Sequence, residues 1–240
     1  MKRHIYNNEQ ELIAAFANYF IEQANYFINN SGQFNVALAG GSSPKRVYEL
    51  LASSEYRNKT EWEKIYFFFG DERYVPVNDP QYNGLMVEQA LFNPLHISSD
   101  HVFKIDTSYP PREAARKYAE TIAAHFNKKP IQFDLILLGL GDNSHTASLF
   151  PFTEILPAKS ASVNAVYLTE ENVYRISMTA PMINQAKNIA FLVFGEKKAE
   201  AVQAVINGEY DPEQFPAQLI KPINGNLHWF LDEKAAGMLT

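Results

Sequence analysis

The sequence predicts a single α/β domain, residues 1–240, built on a mostly parallel sheet with helices on both faces. Three observations predict it. Apolar runs of strand length alternate with segments of helical periodicity along the chain, which is the pattern of strands joined by helical crossovers. One run, 133–140, is apolar at nearly every position, so both of its faces must be covered. At 240 residues and 46% hydrophobic content the chain has material for one sizeable core, burying about 70% of its unfolded surface.

The elements follow in order. Asn8 is an N-cap with Glu11 three residues on, and apolar side chains then fall at Leu12, Ile13, Phe16, Ala17, Phe20, Ile21 and Ala24, the spacing of one helical face. Residues 34–39 read as a buried strand closed by Gly40 and Gly41. Pro44 starts a second helix through Val47, Leu50 and Leu51, proline being suited to a first turn. Residues 65–69 form a strand, followed by the polar loop GDERYVPVNDPQYN and a helix near 85–92. A helix over 111–126 places Ala115, Tyr118, Ala119, Ile122 and Phe126 on one face. After the 133–140 strand come the loop GDNSHTASLFP, strands at 174–178 and 189–194, a helix over 196–207 and a last strand at 227–231.

Composition removes several classes of function. There is no cysteine, so disulfides, thiolate metal sites and cysteine nucleophiles are excluded, and a reducing cytoplasm is the expected compartment. Lys plus Arg number 21 against 27 Asp plus Glu, a net charge of −6, a field that repels a polyanion. No nucleic-acid partner is expected. The start, MKRHIYNNEQELIAAF, lacks the apolar centre of a signal peptide, and no apolar run approaches the roughly 20 residues of a membrane span. No membrane partner is expected either.

In open α/β sheets ligands bind beyond the carboxyl ends of the strands, and three polar loops occupy that place. The first, Gly40, Gly41, Ser42 and Ser43, frees the backbone ahead of a helix N-terminus, an arrangement suited to phosphate; alone it also describes a tight turn with a cap. The second carries Asp71, Glu72 and Arg73. Arg73 is suited to a phosphate or an oxyanion, with the acids holding it in place, whereas a salt-bridged turn is the commoner fate of such a cluster. The third carries His145 among Asn143, Ser144, Thr146 and Ser148, where an imidazole with an ordinary pKa of about 6.5 is placed to act as a general base. His4, His101 and His125 lie in polar or helix-surface contexts, His96 follows a turn, and His228 reads as a packed, hydrogen-bonded strand residue. Serine-hydrolase chemistry lacks its GxSxG string, and Asp142 with His145 makes too poor a set for a metal.

These residues belong to five ordered motifs: LAGGSSPKRVYELL, FFGDERYVPVNDPQYN, FDLILLGLGDNSHTASLFP, YRISMTAPMINQAKNIAFLVFGEKKAEAV and PAQLIKPINGNLHWFLDEKAA. Together they resemble the 6-phosphogluconolactonases, within the superfamily that includes glucosamine-6-phosphate deaminase/isomerase. The resemblance spans nearly the whole chain and implies a Rossmann-like fold. It implies hydrolysis of 6-phospho-D-glucono-1,5-lactone to 6-phosphogluconate, in the oxidative pentose phosphate pathway, with no metal or organic cofactor. It also implies a sugar-phosphate lactone as the small-molecule partner, and leaves monomer or small homo-oligomer open. By the same resemblance the family's histidine falls on His145, its arginines on Arg73 and Arg175, its phosphate loop on Gly40, Gly41, Ser42 and Ser43, and its phosphate-binding lysine on Lys198.

Hydrolysis of a δ-lactone needs a base for the attacking water and a cation or donor for the tetrahedral oxyanion. Asp71, Arg73, Asn143, His145 and Arg175 form the expected catalytic set; which arginine meets the phosphate and which the oxyanion stays open. Two positions depart from the family pattern. Asn143 stands where the family commonly has aspartate, so either Asn143 or Asp142 orients the imidazole, and Tyr82 precedes Asn83 where serine is usual. Two alternatives remain. One is a sugar-phosphate isomerase or deaminase, which by resemblance has a carboxylate where this chain has Phe150. The other is an inactive sugar-phosphate sensor.

Overall fold

The computed structural model describes residues 1–127 and 129–239. Its strands are β1 (Lys2–Tyr6), β2 (Phe34–Leu38), β3 (Ile65–Phe69), β4 (Asp71–Arg73), β5 (Leu135–Leu138), β6 (Val163–Leu168), β7 (Val173–Met178), β8 (Asn188–Val193) and β9 (Asn226–Asp232). Its α-helices are α1 (Glu9–Ser31), α2 (Ser42–Leu51), α3 (Asn83–Val87), α4 (Asn93–Leu95), α5 (Pro111–His125), α6 (Ala180–Ile183) and α7 (Ala199–Asn207). Six strands form one sheet in the order β1-β9-β8-β5-β2-β3, and every pairing in it is parallel.

Burial follows the sequence pattern. Every residue of β2, β5 and β8 is buried, which requires cover on both faces of the sheet and is why these strands lack polar alternation. Helix α1 buries Leu12, Phe16, Phe20, Ala24 and Phe27 on one face and contacts β1, β2 and β9. Its ends are set locally: the Asn8 side chain accepts the Glu11 amide at 3.0 Å, and Gly32, at φ 80°, returns its N–H to Ile28. These are a polar N-cap and a left-handed C-terminal glycine.

The sequence reading and the structure differ where long-range pairing decides the outcome. Residues 2–6, to which the sequence reading assigned no element, form edge strand β1, paired in register with β9. The acidic turn 71–73 is strand β4, and 163–168, unassigned from sequence, is β6. Together with β7 they make a second, antiparallel sheet in the order β4-β7-β6. The expected strand at 174–178 thus exists, but outside the parallel sheet. Gly70 joins the two sheets: its N–H goes to Leu38 and its carbonyl accepts Met178. The 85–92 helix is α3 continued as a π-helical turn, Glu88–Phe92. The start of the 196–207 helix is a 3-10 turn, Glu196–Lys198. His125 is packed rather than on a helix surface, within 4.8–5.1 Å of the Tyr66, Phe68 and Phe103 ring centres.

Candidate active site

The three loops beyond β2, β3 and β5 meet at one cleft of about 380 Å³. Gly40, Gly41, Ser42, Ser43, Asp71, Arg73, His145, Arg175 and Lys198 line it. Of the residues singled out from sequence, Asn143 does not line this cleft; it stands behind the imidazole.

The first loop is shaped by close approach. A side chain at Gly40 would meet Asn83 Oδ1 at 1.9 Å, and Gly41 has φ +103°, a backbone state that side chains disfavour. Helix α2 begins at Ser42, two residues before the Pro44 start expected from sequence, so both serines sit in its first turn, where N–H groups lack helical partners. Tyr48 fixes the entry to the turn, accepting the Ala39 N–H and donating to the Ala39 carbonyl.

In the second loop the acids do not grip Arg73, contrary to the sequence expectation. Fully buried Glu72 accepts the backbone N–H groups of Arg73, Asn83 and Gly84 at 2.7–2.9 Å. Burial pushes its carboxyl up to about 8 against these three amides, which pull it down. Asp71 accepts the Ser148 hydroxyl at 2.6 Å; burial raises its pKa, with Ser148, Arg73 and Arg175 opposing. Arg73 donates to the Gln81 carbonyl at 2.9 Å. It sits directly opposite Arg175 in the β4–β7 register, an unfavourable cross-strand pairing of like charges. An anion in the cleft relieves that repulsion. Glu171, which the sequence reading passed over, holds Arg175 at 2.7 Å; the only sequence signal for it was an acid four residues before the arginine.

The third loop positions the histidine. The Asn143 Oδ1 lies 2.6 Å from His145 Nδ1 and also faces the His145 backbone N–H at 3.3 Å. An oxygen accepting from the backbone accepts from Nδ1 as well, so Nδ1 carries the proton and Nε2 keeps its lone pair. Asp142 instead pairs with Lys198 at 2.5 Å, and the structure therefore brings Asn143 rather than Asp142 to the ring. One ring face lies over Gly141, where an added Cβ would fall 2.1 Å from Nδ1. The Phe150 ring stacks with the imidazole, centroids 4.0 Å apart and planes 17° off parallel. Ser144 and Ala147 have positive φ, 62° and 46°, unusual for residues with side chains. The loop is braced by Gly141 N–H to the His145 carbonyl and by Thr146 Oγ1 to the Gly139 carbonyl. Burial, then Lys198 and Arg175, push the imidazole down to about 4, with Asp142 opposing. At neutral pH it is therefore uncharged. Sequence reasoning missed Gly141 as the floor of the ring and Phe150 as its stacking partner; both lie inside the quoted motif.

Among the described residues no group of three or more His, Asp or Glu side chains is arranged to hold a metal ion, and no helix is long and apolar enough to cross a membrane.

Comparison with known proteins agrees with this geometry. Residues 7–229 match the family described as glucosamine-6-phosphate isomerases/6-phosphogluconolactonase. A 6-phosphogluconolactonase of Synechocystis is 39% identical over 212 residues, covering 87% of this chain and 85% of that protein. One from Nostoc is 35% identical, covering 97% and 96%. Among solved structures, 6-phosphogluconolactonase from Trypanosoma brucei superposes with a TM-score of 0.86 at 27% identity, covering 100% of this chain and 98% of that one. A monomeric glucosamine-6-phosphate deaminase, at 22% identity and a TM-score of 0.84, shares the fold. On the extent of the family match and the identity to these relatives, the chain belongs to the glucosamine-6-phosphate isomerase/6-phosphogluconolactonase family.

Proposed function

We propose that this protein hydrolyses 6-phospho-D-glucono-1,5-lactone to 6-phosphogluconate, the lactone-opening step of the oxidative pentose phosphate pathway. The observation that carries the mechanism is His145 in a cleft with Arg73, Arg175 and Lys198, its Nδ1 2.6 Å from the Asn143 amide oxygen. Nε2 takes a proton from water as the water oxygen bonds to C1. The carbonyl oxygen becomes a tetrahedral oxyanion that Arg73 and Arg175 stabilise. Collapse breaks the bond from C1 to the ring oxygen, and the imidazolium returns its proton to that oxygen. The product is an open-chain acid, which ionises. Asp71 acts from behind, fixing Ser148 and balancing the two arginines.

The phosphate sits at the Gly40 to Ser43 turn with Lys198. The existing partner of Lys198 is the carboxylate of Asp142, which is 67% exposed. Such pairs are worth about 0–1 kcal/mol, so a phosphate dianion whose oxygens accept from several protein donors displaces it. The reaction uses these side chains and water. The compartment consistent with a cysteine-free sugar-phosphate enzyme is the cytoplasm, as a monomer or small homo-oligomer.

Aldose–ketose isomerisation must move a proton between two carbons and benefits from a second acid or base close to the histidine. That flank is occupied by the Phe150 ring, which favours hydrolysis. The test is a lactonase assay on freshly generated 6-phosphogluconolactone with the spontaneous rate subtracted, run beside a glucosamine-6-phosphate deaminase assay. Enzyme-dependent lactone opening without deamination is the expected outcome. Neither activity, with sugar phosphate still bound, would make the protein a sensor.

A further inference from the structure

Phe150 belongs to two cavities. It lines the catalytic cleft and also a neighbouring cavity of about 920 Å³ on the far side of the histidine loop. The two differ in charge. In the cleft Arg73, Arg175 and Lys198 outnumber Asp71 and Glu171; the second cavity is lined by Asp142, Glu154, Glu170, Glu200 and the shared Glu171, and among its described lining residues none is basic. Asn143, which holds Nδ1, lines only the second cavity.

We propose that Phe150 is a positioning residue that partitions the two cavities, pressing the imidazole flat against Gly141 and shutting it off from the water and carboxylates behind. This inference rests on the reading of His145 as the base. Two physical effects support it. A ring that leaves no room for even a Cβ at Gly141 and stacks on a near-parallel aromatic 4.0 Å away has little freedom to tilt, so Nε2 keeps its direction without a second hydrogen bond. A desolvated imidazole disfavours its charged form. The charged groups around it are Lys198, Arg175 and Arg73, which oppose protonation, and Asp142, which favours it. Opening the Phe150 side would admit water and strengthen the acidic side of that balance.

The experiment is an NMR titration of the His145 imidazole in the ligand-free protein, wild type against Phe150→Ala, Phe150→Leu and Phe150→Tyr, paired with lactonase kinetics. In Phe150→Ala the imidazole should gain at least about 10-fold in proton affinity, roughly one pKa unit, and kcat should fall roughly 10-fold with KM changed less than about 3-fold. Phe150→Tyr, which keeps the flat ring, should restore both. Phe150→Leu preserves apolar bulk without a plane, so it should lose kcat while its pKa moves less. An unmoved His145 pKa in the Ala variant, or, should Ala fail to fold, in Phe150→Gln, whose polar chain leaves that side of the ring wet, overturns the partition. Wild-type kcat in Phe150→Leu overturns the positioning role. A pKa that rises in a protein without lactonase activity would leave the partition standing and remove the function assigned above.

Discussion

Two histidines in this protein are pushed down to about 4, each chiefly by burial, yet they are built for different ends. His228 sits in β9 between paired strands β8 and β1. Its Nδ1 is 3.1 Å from His4 Nε2, and Tyr19 and Phe230 pack around the pair. Its Nδ1 is committed to another side chain of the fold. His145 spends one nitrogen on Asn143 and lines a cleft with the other side of its ring among three cations. A low imidazole pKa thus marks burial; access, a committed tautomer and surrounding charge mark chemistry.

The sharpest way to break this contrast is to remove each ring in turn. His145→Ala should lower kcat by roughly 10²-fold or more while its urea unfolding midpoint stays near wild type, since the side chain lines the cleft. His228→Ala should keep kcat within about 3-fold and lower stability by about 1–3 kcal/mol, through a lost buried ring and an orphaned His4. Near-wild-type turnover without His145 would sink its assignment as the base.

A smaller effect is expected at the phosphate. Lys198→Ala removes one charge-assisted contact made before and during reaction, so KM should rise roughly 10-fold with kcat less affected. Comparing phosphorylated with unphosphorylated lactone checks it: a variant that still discriminated as strongly as wild type would place the phosphate elsewhere.

The subtlest test separates the two neighbours of the base. A carboxylate at 143 would stabilise imidazolium and raise the His145 pKa. Asn143→Asp should therefore stay active and shift the acidic limb of kcat/KM to higher pH. Asp142→Asn should change little, because Asp142 faces Lys198. A large loss in Asp142→Asn, with no shift in Asn143→Asp, would reverse the assignment.

The same division between local and long-range causes explains what the sequence disclosed. Helix α1 was legible because its N-cap and periodic face are local. Strands β2, β5 and β8 were legible because a continuous apolar run has few other uses. Strand β1 was not, since Lys2 and Arg3 stand at an open sheet edge where charge is tolerated; only pairing with β9 makes the segment a strand. Strands β4 and β6 were hidden for a related reason, both depending on β7. The catalytic loops were visible through position and motif. The clamp of Glu72 on 83–84 and the Gly141–Phe150 sandwich were not, because each depends on which faces meet after folding.

The proposed lactone opening requires His145 to be a neutral base whose lone pair sits on Nε2. The direct measurement is ¹⁵N imidazole NMR of the wild-type protein across pH, with His145→Ala to assign the signal. Such a base should show the Nδ1–H tautomer at neutral pH and a midpoint near 4, so that protonation appears only well below the ordinary histidine value of about 6.5. A resonance showing Nε2–H, or a midpoint at or above 6.5, would contradict it.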